Sequence, residues 1–229
     1  MIYYIYFIAA IVIAYNAIAL HFFGSNAFVR LPALLFFIVG AGYLAINHKK
    51  YRQYFSLPGR TIIPVIFLVL IFDSVFRGLM YSASLSRGVQ WTTPFVNFFE
   101  EAGRLGLYLL GFQSYLLNSA LWAFGHLIDS KSLSSDALIS GMSIWDRWMI
   151  ILNFLLLGLL LLRYAIKSGS IWGAFFIHLA INLNPIDIRP SQPDGQAFLW
   201  IVLVFSYLAA AWLVGFSVGR FERCARSTR

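Results

Sequence analysis

Eight runs of apolar residues take up most of this chain, and the stretches between them are short. They cover 2–23, 31–46, 61–81, 93–112, 114–127, 148–166, 170–183 and 197–219. Hydrocarbon offers no hydrogen bonds to an exposed backbone, so segments this apolar must satisfy their own amide groups, and a helix does that within one segment. Hydrophobic residues make up 60% of 229 and charged residues 11%, a balance outside the range of ordinary soluble domains. At about 20 residues per crossing, the chain has room for about seven to nine spans and for no separate soluble domain. The predicted fold is therefore all-α, a polytopic transmembrane helical bundle of about eight helices forming a single integral membrane domain over residues 1–229. The fifth and seventh runs are short for a full crossing and are expected to lie inside the bundle.

The formal net charge of +8 would suggest nucleic acid in a soluble protein, but here the basic residues fall between and after the apolar runs, where they set topology. Nucleic acid is excluded as a partner on that ground. With the amino terminus in the cytoplasm, the cytoplasmic segments hold Lys49, Lys50, Arg52, Arg60, Arg163, Lys167, Arg220, Arg223, Arg226 and Arg229. The opposite side holds Arg30, Arg87, Lys131, Arg147 and Arg189, so both termini are predicted to be cytoplasmic. Tyr3, Tyr4, Trp91, Trp145, Trp148 and Trp200 fall near span ends, as an interfacial belt does. Cys224 is the single cysteine, which rules out an intramolecular disulfide and a thiolate metal cluster. The first run begins at Ile2 without a basic leader or a cleavage site and reads as a retained span. The compact size and the lack of targeting signals point to a prokaryotic plasma (inner) membrane.

Several of these runs carry groups that a bilayer penalises: Glu100, Glu101 and Arg104 in the fourth, His126 in the fifth, His178 and Asn182 in the seventh. An ionisable group in hydrocarbon costs on the order of 3 kcal/mol, so such groups face a protein interior or a hydrated cavity. Arg104 is four residues from Glu100 and three from Glu101, and its guanidinium can reach either within one helical turn. Two acids beside one arginine can take two roles, one structural and one catalytic. His178 and Asn182 are four apart and share a face, while His126 comes from another span. Together they form a hydrolytic kit with no serine or cysteine nucleophile. A glutamate takes a proton from water, one histidine steadies that water or protonates the leaving amine, and His178 with Asn182 holds the oxyanion. Each group also has a purely structural reading, as a backbone-bonded imidazole, an interhelical amide contact or an ion pair that fixes helix register. Asp73 and Arg77 are spaced for a same-face salt bridge, read as structural. His21 and His48 read as interface residues.

The order of these residues resembles the CPBP family of intramembrane proteases, which includes the type II CAAX prenyl endopeptidases and bacteriocin-processing relatives. That family carries Glu-Glu-x-x-x-Arg, Phe-x-x-x-His and His-x-x-x-Asn on successive membrane helices. Here "GSIWGAFFIHLAINL" resembles the family's Gly-Ser-Ile-Trp segment running into His178-x-x-x-Asn182, and Trp122 stands where phenylalanine is usual before His126. Two residues separate Glu101 from Arg104 where the family has three. One register keeps the glutamate pair and brings the arginine a residue early; the other puts Phe99 in place of the first acid and makes Glu100 the second. By resemblance the first glutamate activates water, and the expected base is Glu100, with Glu101 as the fallback, because Glu100 keeps a helical-turn relation to Arg104 in either register. The motifs span about residues 96–183, a catalytic core that leaves the first three helices uncovered.

The resemblance implies an endopeptidase cutting near a hydrophobic or lipidated carboxy-terminal or leader segment of a membrane-anchored substrate, with membrane lipid around it. It implies a glutamate-type mechanism, so no cofactor is expected. Zinc held by Glu100, His126 and His178 is the alternative, since three ligands and an open position make a catalytic site, although nothing resembles the compact His-Glu-x-x-His helix. Under the predicted topology Glu100 lies in the outer half of its span. Two other readings stay open: a proton- or ion-coupled membrane transporter or immunity protein using the same buried charges, and a catalytically inactive relative.

Overall fold

The computed structural model describes residues 2–23, 30–79, 93–126, 144–184 and 195–227. These residues form eight α-helices: α1 (Ile2–Phe23), α2 (Arg30–Ile46), α3 (Ile62–Leu79), α4 (Thr93–Leu110), α5 (Tyr115–His126), α6 (Ile144–Ser168), α7 (Ile171–Leu183) and α8 (Gly195–Ser227). A 3-10 turn, Arg52–Tyr54, follows α2, and among the described residues the only extended pairing is an isolated bridge between Phe55 and Ser170. The all-helical bundle expected from the apolar runs is what the chain forms.

Two helix ends differ from the hydropathy pattern. The last helix continues to Ser227, well past the end of its apolar run, because "RFERCARS" holds arginine, glutamate and alanine, which favour helix, and no proline or glycine. The sixth begins at Ile144 rather than at Trp148, since the polar "DR" there interrupts hydropathy but not helix.

The chain divides into two compact units. The first holds α1, α2, α5, α4 from Phe99 and α6 as far as Leu162; the second holds α3, α7, α8, the start of α4 and the end of α6. In the first, α1 and α2 pack on α5. Helices α2 and α4 meet backbone to backbone through Gly40, Gly103 and Gly106. A Cβ on Gly106 would strike the Gly40 carbonyl oxygen, and one on Gly103 would lie 2.7 Å from the Phe37 carbonyl oxygen, the close approach that small residues permit between membrane helices. In the second unit α3 packs against α7 and α8, with Phe72 and Tyr207 ring centroids 5.5 Å apart.

Polarity runs inside out. Phe198, Ile201, Phe205, Leu208 and Trp212 recur every three or four residues along α8 as an exposed apolar stripe, while Ser206 of the same helix is buried. Asn16 of α1 and Asp73 and Ser74 of α3 are likewise buried, and Tyr3, Phe7, Ile11, Ile63 and Phe67 of those helices are exposed. A water-facing surface would reverse this pattern, and apolar exposure on that scale marks contact with something other than water. By length and composition one segment of the described residues, Trp148–Ser168, is long and apolar enough to cross a membrane. Five shorter apolar stretches of 10–17 residues accompany it.

Candidate active site

In the first unit the acidic pair and its arginine form one buried cluster. Glu101 and Arg104 are 1% and 0% exposed, and Nη1 of Arg104 donates to both carboxylate oxygens of Glu101 at 3.2 Å. Nη2 donates to the Gly158 carbonyl oxygen of α6. The guanidinium carbon lies 4.7 Å from the centroid of the Trp122 ring, a cation–π stack. Gly158 leaves room for this arrangement, since a Cβ there would come 2.9 Å from Trp122 Cε3 and 3.4 Å from Arg104 Nη2. Asn118 of α5 donates through Nδ2 to the Arg104 carbonyl oxygen at 3.0 Å, tying the two helices at the same level.

Glu100 has a different partner. The indole Nε1 of Trp122 donates to its Oε2 at 3.0 Å, and Glu100 is only partly buried. The Trp122 ring is fixed in turn by a T-shaped contact with Phe154, at 5.9 Å and 85°. Of the two offsets open to Arg104, the three-residue one to Glu101 carries the ion pair, with Nη1 shared between both carboxylate oxygens.

Helix α5, expected to lie inside the bundle, buries four consecutive residues from Leu121 to Phe124. His126 is its last residue, and the His126 side chain lies outside the described residues. The zinc alternative through Glu100, His126 and His178 lies partly outside them for the same reason. Among the described residues no group of three or more His, Cys, Asp or Glu side chains is placed to hold a metal ion.

In the second unit the "GSIWG" segment builds the start of α7. Gly169 takes φ 65°, which only glycine adopts without strain. Ser170 caps the helix by accepting from the Gly173 amide at 3.1 Å, and its own hydroxyl donates to the Ser56 carbonyl oxygen at 2.7 Å. Ser56 answers by donating to the Gly169 carbonyl oxygen at 2.8 Å. Gly173 must be small because a Cβ would strike the Tyr164 ring. So anchored, α7 places His178, 3% exposed, and Asn182 one turn apart. The ring of Phe98 packs on Trp172 of α7 at 4.9 Å.

Three features escaped the reading of the sequence. Asn182 donates through Nδ2 to Oδ1 of Asn97 at 2.9 Å, a bond between residues 85 apart that no spacing rule reveals, although a lone carboxamide in "FVNFFEE" was the available signal. The Trp122 indole as a donor to Glu100 is the second. The third is Asn184, just after α7, which donates to Asp73 Oδ2 at 3.0 Å and to Ser74 Oγ at 2.9 Å. Asp73 thus helps hold the end of α7; the Arg77 side chain, its expected salt-bridge partner, lies outside the described residues.

A family model described as type II CAAX prenyl endopeptidase Rce1-like matches residues 54–184, more than half of the chain. The match contains both clusters and reaches back to include α3, which the motif resemblance left uncovered. No curated protein and no solved structure matches the chain. Its extent, together with the glutamate pair, the capped α7 and its His178-x-x-x-Asn182 face, leads to one assignment: the chain belongs to the Rce1-like type II CAAX prenyl endopeptidase family.

Proposed function

We propose that this protein is a multi-pass endopeptidase of the plasma (inner) membrane that hydrolyses a peptide bond near a hydrophobic or lipidated carboxy-terminal segment, with Glu100 as the base that activates water. Membership of a protease family supports the reaction class. The observation that carries the finer reading is the unequal treatment of two neighbouring acids. Glu101 is consumed by Arg104 in a buried ion pair, whereas Glu100 is partly accessible and oriented by the Trp122 indole donor. An acid locked in an ion pair is poorly placed to accept a proton; one that is oriented and reachable is better suited to it.

In the proposed reaction a water oxygen bonds to the amide carbon as its proton passes to Glu100. The carbonyl oxygen becomes an oxyanion, held by His178 and Asn182. The C–N bond then breaks as the leaving amine takes up a proton, which His126 delivers or relays from Glu100. Removing a single oxyanion donor costs on the order of 10²–10³ in kcat in enzymes of this chemistry. The mechanism asks nothing of a metal, and cleavage is expected to persist after exhaustive chelation.

The test is cleavage of a farnesylated tail peptide by the full-length protein in detergent, read by mass spectrometry. Glu100→Gln should fold normally and lose cleavage by at least about 10³-fold, and His178→Ala should lose about 10²–10³. Normal turnover by both variants would refute the proposal. Loss of activity on chelation, restored by zinc alone, would replace the metal-free mechanism with the zinc one.

A further inference from the structure

We infer that Asn97 is a positioning residue for this reaction, orienting the Asn182 carboxamide so that one of its N–H bonds is held and the other is presented to the developing oxyanion. The inference rests on the protease reading above. Asn97 is 2% exposed, and its Oδ1 accepts from Asn182 Nδ2 at 2.9 Å. A carboxamide nitrogen carries two donors, so this bond spends one and fixes the direction of the second. The terminal torsion of asparagine is otherwise broad, and a donor free to swing is not preorganised for charge that appears only in the transition state.

A purely adhesive role fits the pair less well. Two carboxamides serving as interhelical glue can bond reciprocally, each donating to the other. Here Asn97 Nδ2 is buried without a hydrogen-bond partner, and a buried unpaired donor costs more than one amide bond returns. Along α4, Asn97 precedes Glu101 by four residues and Arg104 by seven, which puts it on the helical stripe that carries the motif.

The decisive measurement is a double-mutant cycle on the full-length protein with the farnesylated tail peptide. Asn182→Ala should lower kcat about 100-fold. Asn97→Ala should lower it about tenfold, with KM within about twofold, because an interaction made in the transition state is being weakened. The double variant should be no slower than Asn182→Ala alone, since a residue that acts through Asn182 has nothing left to position. Asn97→Leu supplies the second arm: it fills a similar volume without the unpaired donor, and should unfold no more easily than the wild type while losing kcat to the same extent. Full kcat in Asn97→Leu, independent losses that multiply in the double variant, or a rise in KM at constant kcat would each overturn the inference. Glu100→Gln and His178→Ala run alongside separate the two levels. If they are inactive while Asn97→Leu is fully active, only the role of Asn97 fails; if they cleave normally, the protease reading fails with it.

Discussion

Arg104 follows Glu100 by four residues and Glu101 by three, and on a helix both offsets bring a guanidinium within reach. Spacing alone leaves the choice open; the neighbouring helices make it. The Gly158 carbonyl oxygen takes Nη2 and the Trp122 face takes the plane of the guanidinium, which leaves Nη1 facing Glu101. Removing one partner of a buried ion pair strands the other, at roughly 3–5 kcal/mol. Glu101→Gln should therefore lower the thermal midpoint in detergent sharply and reduce the yield of folded protein, while Glu100→Gln should leave both near wild type. Equal destabilisation by the two would remove the basis for giving them separate roles. Trp122 bears on the same cluster. It stands where the family usually has phenylalanine; in the register that keeps the glutamate pair Arg104 stands one residue early, and the two side chains are in contact, with the indole N–H on Glu100. Trp122→Phe keeps a ring against Phe154 but deletes that donor, a hydrogen bond to a charged group being worth about 1.5–3 kcal/mol. A fall in kcat of about tenfold with little change in KM is expected from steady-state kinetics. An unchanged kcat would show that the indole only fills space.

At the level of elements, the helices were legible because apolar runs of this length have one good solution in lipid; α1 and the end of α7 fall where the runs begin and stop. The tail of α8 was not legible, since hydropathy marks where a helix leaves lipid and says nothing of where its backbone hydrogen bonds cease. In the same way the sequence offered the glutamate pair and the His178–Asn182 face, which depend on local periodicity. It could not offer Asn97 with Asn182 or Asp73 with Asn184, which join distant segments. Glycines belong with the second kind. Nothing in "IVGAGYL" or "EAGRLGLYLL" says which glycine meets which backbone, yet Gly40, Gly103 and Gly106 set how closely α4 lies against α2. Adding a methyl where a backbone carbonyl already sits forces the helices apart, and overpacking of this kind costs about 1–3 kcal/mol. Gly106→Ala should accordingly lower the unfolding midpoint of the detergent-solubilised protein, whereas Gly42→Ala, on α2 two residues from Gly40 and with open space where its Cβ would stand, should leave it unchanged. Equal midpoints for the two variants would mean that the α2–α4 approach has slack.

For the molecule as a whole, the placement of polar and apolar side chains is the governing fact. Polar groups such as Asn16, Asp73, Ser206 and the Glu101–Arg104 pair are buried, and the apolar stripe of α8 faces outward. That inversion is stable only where the surroundings are apolar, so the protein should stay in the membrane fraction through alkaline carbonate washing and enter solution only with detergent. Orientation is a separate question, and lysine and arginine decide it. Ten of them fall in the segments assigned to the cytoplasm when both termini are placed there, counting Lys49, Lys50, Arg52, Arg60, Arg163, Lys167 and the four arginines from Arg220 onward. Moving that excess across the bilayer is disfavoured during insertion. The chain supplies its own reporter, because Cys224 is its single thiol and lies among those arginines. A membrane-impermeant maleimide should label the wild-type protein in inverted vesicles and leave it unlabelled in right-side-out ones, with Cys224→Ser unlabelled in both. Labelling from the outside would place the basic tail beyond the membrane and reverse the orientation of every span, including the end of α4 from which Glu100 would meet its substrate.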